Sequence, residues 1–240
     1  MHFVNLNIFI IIPTYNEKEN IENLINKIFG FNIANLNILI VDDNSPDGTG
    51  KIVRGLVEKY KNHLRLIQRS KKMGIGNAYI CGFKYAIEKN ADLIFEMDAD
   101  FSHDPKYIPN FIEEIKNGNN VVIGSRKIKG GKIEGWNLER KFMSLGAMFF
   151  ARIILGIKTK DVTSGYRCYK KKALLQINLD KIKSNGYAFQ EEMIYLCEKK
   201  GFKIKEIPIT FIDRKLGKSK LGHKDIFEFF KTVVRLRFLN

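Results

Sequence analysis

Asp92-Leu-Ile-Phe-Glu-Met-Asp98-Ala-Asp100-Phe-Ser-His-Asp104 is the stretch whose reading decides the fold. Residues 93–97 are an apolar run broken only by Glu96, the mark of a buried strand. The run ends in two carboxylates one residue apart, with the turn former Pro105 just beyond. Residues i and i+2 of an extended chain lie on one side, so Asp98 and Asp100 are expected to aim at one point past the strand's C-terminal end. In open α/β sheets that end is where ligands bind. Two convergent carboxylates suit a hard divalent cation, Mg²⁺ or Mn²⁺, which keeps open positions for the phosphates of a nucleotide. An isolated D-x-D is more often a solvated pair opening a turn; the pattern around this one favours the site.

Outward from that stretch, apolar runs alternate with helical spacings. Strands are expected at residues 7–12, 37–41, 64–68, 93–97 and 120–124. Between them, helices are expected from residue 21 to about 30, then at 49–60, 78–89 and 107–116. That alternation predicts a mostly parallel sheet wrapped by helices. Its strands stop at polar or glycine clusters, among them Pro13-Thr-Tyr-Asn-Glu17 and Asp42-Asp-Asn-Ser-Pro-Asp47-Gly48, which would line one crevice. After Arg126 the pattern changes. Gly130-Gly131 marks a flexible loop, 138–155 one or two helices, 166–169 a strand, 189–199 a helix, 202–211 a final strand and 226–238 a last helix.

With 240 residues, 45% of them hydrophobic, the chain can bury a full core and is too apolar for a disordered one. A formal charge of +15 favours anionic partners: nucleic acid, a phosphorylated substrate or an anionic membrane surface. Cys81, Cys168 and Cys197 lack metal-ligand spacing and are expected as reduced core thiols of an intracellular protein. No secretory pattern accompanies residues 8–12. No apolar run reaches membrane-spanning length, 142–157 coming closest but carrying Arg152.

Gly74 and Gly76 do not complete a dinucleotide fingerprint, because Tyr79 stands where the third glycine belongs, and no P-loop pattern exists. They serve either close loop packing or phosphate contact at a helix N-terminus. Asp42-Asp43 suits a base or ribose, or a helix N-cap, although Ser45 or Asp47 is better placed for capping.

Taken in order, Pro13-Thr-Tyr-Asn-Glu17, Val41-Asp-Asp-Asn-Ser-Pro-Asp47-Gly, Gly74-x-Gly-x-Ala78 and Asp98-x-Asp100 resemble the family 2 inverting glycosyltransferases. Within them, Gly124-Ser-Arg126, Glu139-Arg140-Lys141 and Asp213-Arg214-x-x-Gly217-x-Ser219-Lys220 resemble the dolichol-phosphate (polyprenol-phosphate) mannose synthases. The resemblance implies an α/β, GT-A (Rossmann-like) fold with a mostly parallel central sheet flanked by helices. The catalytic domain would span 1–222, with a nucleotide-binding half at 1–126 and an acceptor half at 127–222. An amphipathic helix at 223–240 would follow, able to contact a membrane surface. The resemblance also implies that Pro13, Tyr15 and Glu17 line the nucleotide pocket and that Val41 and Asp43 hold the guanosine. Asp98, Ala99 and Asp100 would sit at the diphosphate, with Mg²⁺ or Mn²⁺ on the two aspartates. Ser102 stands where many members place Gln, as a weaker third metal position. Arg126 would face the sugar and phosphates, while Arg140, Arg214 and Lys220 surround the acceptor phosphate and departing diphosphate; a solvated basic loop is the plainer reading of that cluster.

The implied reaction carries mannose from GDP-mannose to dolichyl (polyprenyl) phosphate. Negative charge grows on the leaving diphosphate, where a metal with Arg and Lys, Arg126 and Arg214 among them, would stabilise it. The acceptor phosphate is already nucleophilic, so no strong base is required. Glu191 and Glu192 would then orient Arg214 or Lys220, and single displacement predicts inversion. Implied partners are a membrane surface, at its cytoplasmic side, and small membrane-anchoring subunits. Glucose or an aminosugar from a UDP-sugar is the alternative donor chemistry. A basic nucleic-acid-binding protein is the remote one, disfavoured by the missing RNP pattern and by an acidic pair that repels phosphate.

Overall fold

The computed structural model describes residues 6–213 and 223–238. The β-branched runs become β1 (Ile8–Thr14), β2 (Leu36–Asp42), β3 (Leu64–Gln68), β4 (Leu93–Glu96) and β5 (Val121–Ser125). Between them lie α1 (Ile21–Phe29), α2 (Thr49–Tyr60), α3 (Ile75–Glu88) and α4 (Ile108–Lys116). Next come β6 (Lys132–Glu134), α5 (Leu138–Leu155), β7 (Arg167–Lys170), α6 (Lys171–Leu175), α7 (Phe189–Lys199), β8 (Ile204–Pro208), β9 (Thr210–Ile212) and α8 (His223–Phe238). The main sheet is seven-stranded in the order β3-β2-β1-β4-β7-β5-β8. β1 lies between β2 and β4, and its near-continuous burial is what a strand covered on both faces requires. Two apolar layers cover the sheet: α3, α5, α7 and α8 contribute to one, α1, α2 and α4 to the other.

Three features depart from the expected pattern. β7 runs antiparallel between β4 and β5, so the strand order is not the chain order. The single strand expected at 202–211 is two. Pro208 has no amide hydrogen to continue a ladder. At Ile209 the chain changes sheets: its N–H bonds Ser125 O (3.0 Å) while its C=O accepts from Lys132 N (2.9 Å). β8 therefore edges the main sheet beside β5, and β9 pairs with β6 in a second sheet. That second sheet lies where a flexible loop was expected. Gly131 permits it, since a Cβ there would lie 2.6 Å from Ser125 O. Residues 138–155, expected as one or two helices, form one, stopped at Gly156 in the left-handed region.

Candidate active site

Because β1, β2 and β4 are parallel, their C-terminal ends share one edge. Asp42 ties two of them together. Its carboxylate accepts from Thr14 Oγ1 (2.8 Å), Ser45 N (3.0 Å) and Ser45 Oγ (2.5 Å). Asp43 turns away from it, to Arg69 and to the N–H of Met73 (3.0 Å). The adjacent pair therefore splits into a brace and a group facing the 69–74 loop; α2 is capped at Gly48, and Asp47 just before it accepts from Thr49 N (2.9 Å).

Pro13 is the last residue but one of β1, and the Tyr15 ring beyond the strand lies under the Lys72 ammonium, 4.4 Å from the centroid. Glu17 is buried, donates its N–H to Thr49 Oγ1 (3.0 Å) and accepts from Asn20 Nδ2 (3.0 Å). The Val41 side chain is fully inside the core, so only its backbone can meet a ligand. Gly74 and Gly76 answer the question left by the sequence. A Cβ at Gly74 would sit 2.6 Å from Asn185 Oδ1, and one at Gly76 2.8 Å from Ser184 O. Close packing against the 184–185 loop is the demand both glycines meet.

β4 stops at Glu96, so the two aspartates sit in the turn beyond it, which Phe101 closes at φ 63°. Asp98 is half-buried and flanked by Tyr79, whose hydroxyl donates to Oδ1 (3.3 Å). Buried His103 accepts the Asp98 main-chain N–H on Nδ1 (3.0 Å), with Nε2 3.8 Å from Asp98 Oδ2. Burial pushes the His103 pKa down, against the pull of Asp98 and Asp100, which keeps the acceptor nitrogen unprotonated. Asp100 Oδ1 accepts from Ser102 N (3.1 Å) and Oγ (2.6 Å), so Ser102 props that carboxylate. Ala99 between them is buried. Among the described residues no cluster of three or more His, Cys, Asp or Glu is arranged to hold a metal. Two hard carboxylates with the rest supplied by diphosphate oxygens and water is the donor set Mg²⁺ or Mn²⁺ accepts beside a nucleotide.

Across the edge stands a cationic group. Arg126, at the end of β5, donates Nε (2.8 Å) and Nη2 (2.6 Å) to Asp161 and Nη2 to Thr163 Oγ1 (2.7 Å), which leaves Nη1 outside that fork. Burial would raise the Asp161 pKa, but the Arg126 charge and hydrogen bonds hold it below the usual carboxylate range. The Arg126 guanidinium also lies 5.3 Å from the Phe211 ring and 5.6 Å from Trp136. Arg140 sits 4.2 Å over Trp136 and pairs with Asp213 (2.8 Å). Phe211 touches both Trp136 and His103, so a row of rings joins the aspartate turn to the two arginines. Arg214 and Lys220 lie outside the described residues.

Glu191 and Glu192 face different ways. Glu192 accepts from Ser184 N (2.9 Å) and pairs with Arg235 of α8 (2.6 Å), while Glu191 is buried with Oε2 unmatched among the described residues. Below them, fully buried Arg167 donates to Val162 O, Ser164 O and Gln190 O, each at 2.8 Å, fixing the loop that carries Gly165 beside Asp98. Sequence reasoning missed Arg69, His103, Trp136, Asp161 and Arg167. Trp136, as the single tryptophan, carried a compositional signal; the others show their role only through partners distant in the chain.

Residues 9–177 match the model of Glycosyl transferase family 2. The chain is 38% identical over 230 residues to the undecaprenyl-phosphate mannosyltransferase of Micrococcus luteus, covering 96% of this chain and 93% of that one. It is 36% identical over 219 residues to the polyprenol monophosphomannose synthase of Mycolicibacterium smegmatis, covering 91% and 82%. Among solved structures it is similar to a mannosyltransferase from Pyrobaculum calidifontis in complex with GDP-Man and Mn²⁺. There the TM-score is 0.64 at 15% identity, over 97% of this chain and 65% of that one. It is also similar to mannosyl-3-phosphoglycerate synthase from Rubrobacter xylanophilus, with TM-score 0.66 at 17% identity over 96% and 72%. At such identities the structural matches speak for the fold, which is the GT-A fold of glycosyltransferases.

Proposed function

The chain belongs to glycosyl transferase family 2, and from that premise we propose that it transfers mannose from GDP-mannose to a polyprenyl phosphate, with inversion. The observation that carries this reading is the ring-linked pairing of the Asp98/Asp100 turn with the Arg126/Arg140 group on one edge of the sheet. An acidic site that tolerates a diphosphate only with a counter-cation, beside a cationic site for a second phosphate, is what transfer between two phosphates needs.

Asp98 and Asp100 would hold Mg²⁺ or Mn²⁺, which supplies positive charge to the departing diphosphate. Tyr79 holds the first carboxylate while His103 holds its main chain, and Ser102 holds the second carboxylate, so the pair is oriented before a ligand arrives. Tyr15, Glu17 and the Val41 backbone border the nucleotide, with Asp43 reading its base through the 69–74 loop. Arg126 and Arg140, with Arg214 and Lys220, neutralise the acceptor phosphate enough for it to approach the donor. A phosphate oxygen attacking the anomeric carbon needs no base.

The acceptor is a lipid, and the surface agrees with that. On α5, Leu138, Phe142, Met143, Leu145, Phe149 and Ile153 are exposed. On neighbouring α8, Phe227, Phe230, Val234 and Phe238 are exposed too, with Phe150 and Phe230 in ring contact between the helices. No helix among the described residues is long and apolar enough to cross a membrane. The two helices would lie on the cytoplasmic surface of a membrane, alone or with small anchoring subunits.

Transfer of labelled sugar to polyprenyl phosphate in detergent, from GDP-mannose, UDP-glucose and UDP-GlcNAc, with Mn²⁺, Mg²⁺ or EDTA, tests the reading. The expected outcome is metal-dependent mannolipid from GDP-mannose, reduced at least 100-fold in Asp100→Ala, on the order of losing one charged transition-state contact. Transfer from a UDP-sugar instead would overturn the mannosyl assignment.

A further inference from the structure

We propose that Trp136 is a recognition residue for a phosphomonoester, its indole N–H donating to a phosphate oxygen held between Arg126 and Arg140. The proposal rests on the acceptor reading given above and adds to it a residue and a contact. Trp136 is fixed on both sides. Gly135 before it takes φ 88° with no room for a Cβ, which would sit 2.8 Å from Asp213 Cβ. Asn137 after it caps α5, accepting the Arg140 N–H on Oδ1 (2.9 Å). The ring is thereby held where the guanidiniums of Arg140 (4.2 Å) and Arg126 (5.6 Å) both meet it.

The indole Nε1 is buried and has no acceptor among the described residues. Tryptophan N–H groups in that position normally find a partner. Two cations beside the ring cannot provide one, because arginine has donors only. Their own carboxylates are taken up separately, Asp161 on Arg126 and Asp213 on Arg140. An incoming anion with several oxygens completes all three donors at once. A tetrahedral phosphate monoester presents three terminal oxygens in different directions, one for each donor. The phosphate could come from a lipid acceptor or from the nucleotide. The lipid is favoured by position, since Arg140 lies in the first turn of α5, beside exposed Leu138 and Phe142.

As the only tryptophan, Trp136 reports on itself by fluorescence. The intact chain is titrated with farnesyl phosphate, with farnesol, and separately with GDP plus Mn²⁺. A saturable change in emission is expected with farnesyl phosphate and none with farnesol, and Arg140→Ala is expected to weaken the apparent affinity about tenfold. In transfer assays Trp136→Phe, which keeps a ring and removes the N–H, should raise the acceptor KM about tenfold and leave the donor KM unmoved. Equal responses to farnesol and its phosphate, or an effect of Trp136→Phe on the donor KM alone, would overturn the proposal. A phosphate-specific response in a chain that transfers no sugar would keep the site and remove the transferase reading. Transfer with an unchanged acceptor KM in Trp136→Phe would do the reverse.

Discussion

Glu191 is a carboxyl held where water cannot reach it. Burial raises its pKa well above the ordinary range, more than the Arg167 charge lowers it. The folded chain therefore keeps a proton that the unfolded chain releases above about pH 4.3. Its contribution to stability is complete below that pH and falls as pH rises, by about 1.4 kcal/mol per unit, until the folded pKa is passed. Glu191→Gln should remove that slope. Urea unfolding of both chains from pH 5 to 8 is expected to give curves that diverge with pH in favour of the variant; parallel curves would mean the carboxyl is ionised in the fold. The residue scale is also where the sequence was least legible. Glu191 and Glu192 read as one pair, but neighbours on a helix point about 100° apart. One enters the core while the other finds Arg235. Asp42 and Asp43 divide in the same way, because Thr14 and Arg69 come from other strands' ends. That the D-x-D lies just past a strand's end was legible; His103, which holds its main-chain N–H, was in view but had no visible task until the turn at Phe101 folded it back.

Elements were easier to foresee, since long β-branched runs and helical spacings admit few alternatives. Their partners were not. A four-residue strand such as β7 carries no mark of direction, and the break between β8 and β9 depends on Ser125 and Lys132 receiving Ile209. Helix α3 shows what packing adds to propensity. A Cβ at Gly82 would lie 2.3 Å from Ile11 Cγ2, so the helix rests on β1 at a distance only glycine allows. Gly82→Ala should gain about 1 kcal/mol in helix propensity yet lose about 1–3 kcal/mol to overpacking. A net fall in stability is expected, smaller in the presence of Ile11→Ala than additivity predicts. If the single variant unfolds at higher denaturant than the parent, the approach is looser than described.

At the scale of the whole molecule, one flank is apolar where a globular surface should be mixed. The exposed side chains of α5 and α8 form a face next to Arg140, Lys231 and Arg237, a combination that suits anionic lipid. Phe142→Ser with Phe227→Ser should abolish sedimentation with vesicles of anionic phospholipid while leaving the unfolding midpoint unchanged, because both rings are more than 70% exposed. Undiminished sedimentation would assign the face to something other than lipid. The antiparallel β7 bears on how the chain is made. During synthesis β4 and β5 are complete before the strand that separates them exists, as about 45 residues still have to be added. At bacterial to eukaryotic elongation rates that is roughly 2–9 s. For that interval two nearly all-apolar strands stand with open edges, the condition in which nascent chains pair with one another. Residues 6–126 thus lack the strand that joins β4 to β5. A released fragment ending near residue 126 is expected to aggregate, and the protein's yield should depend on how quickly the stretch after it is translated.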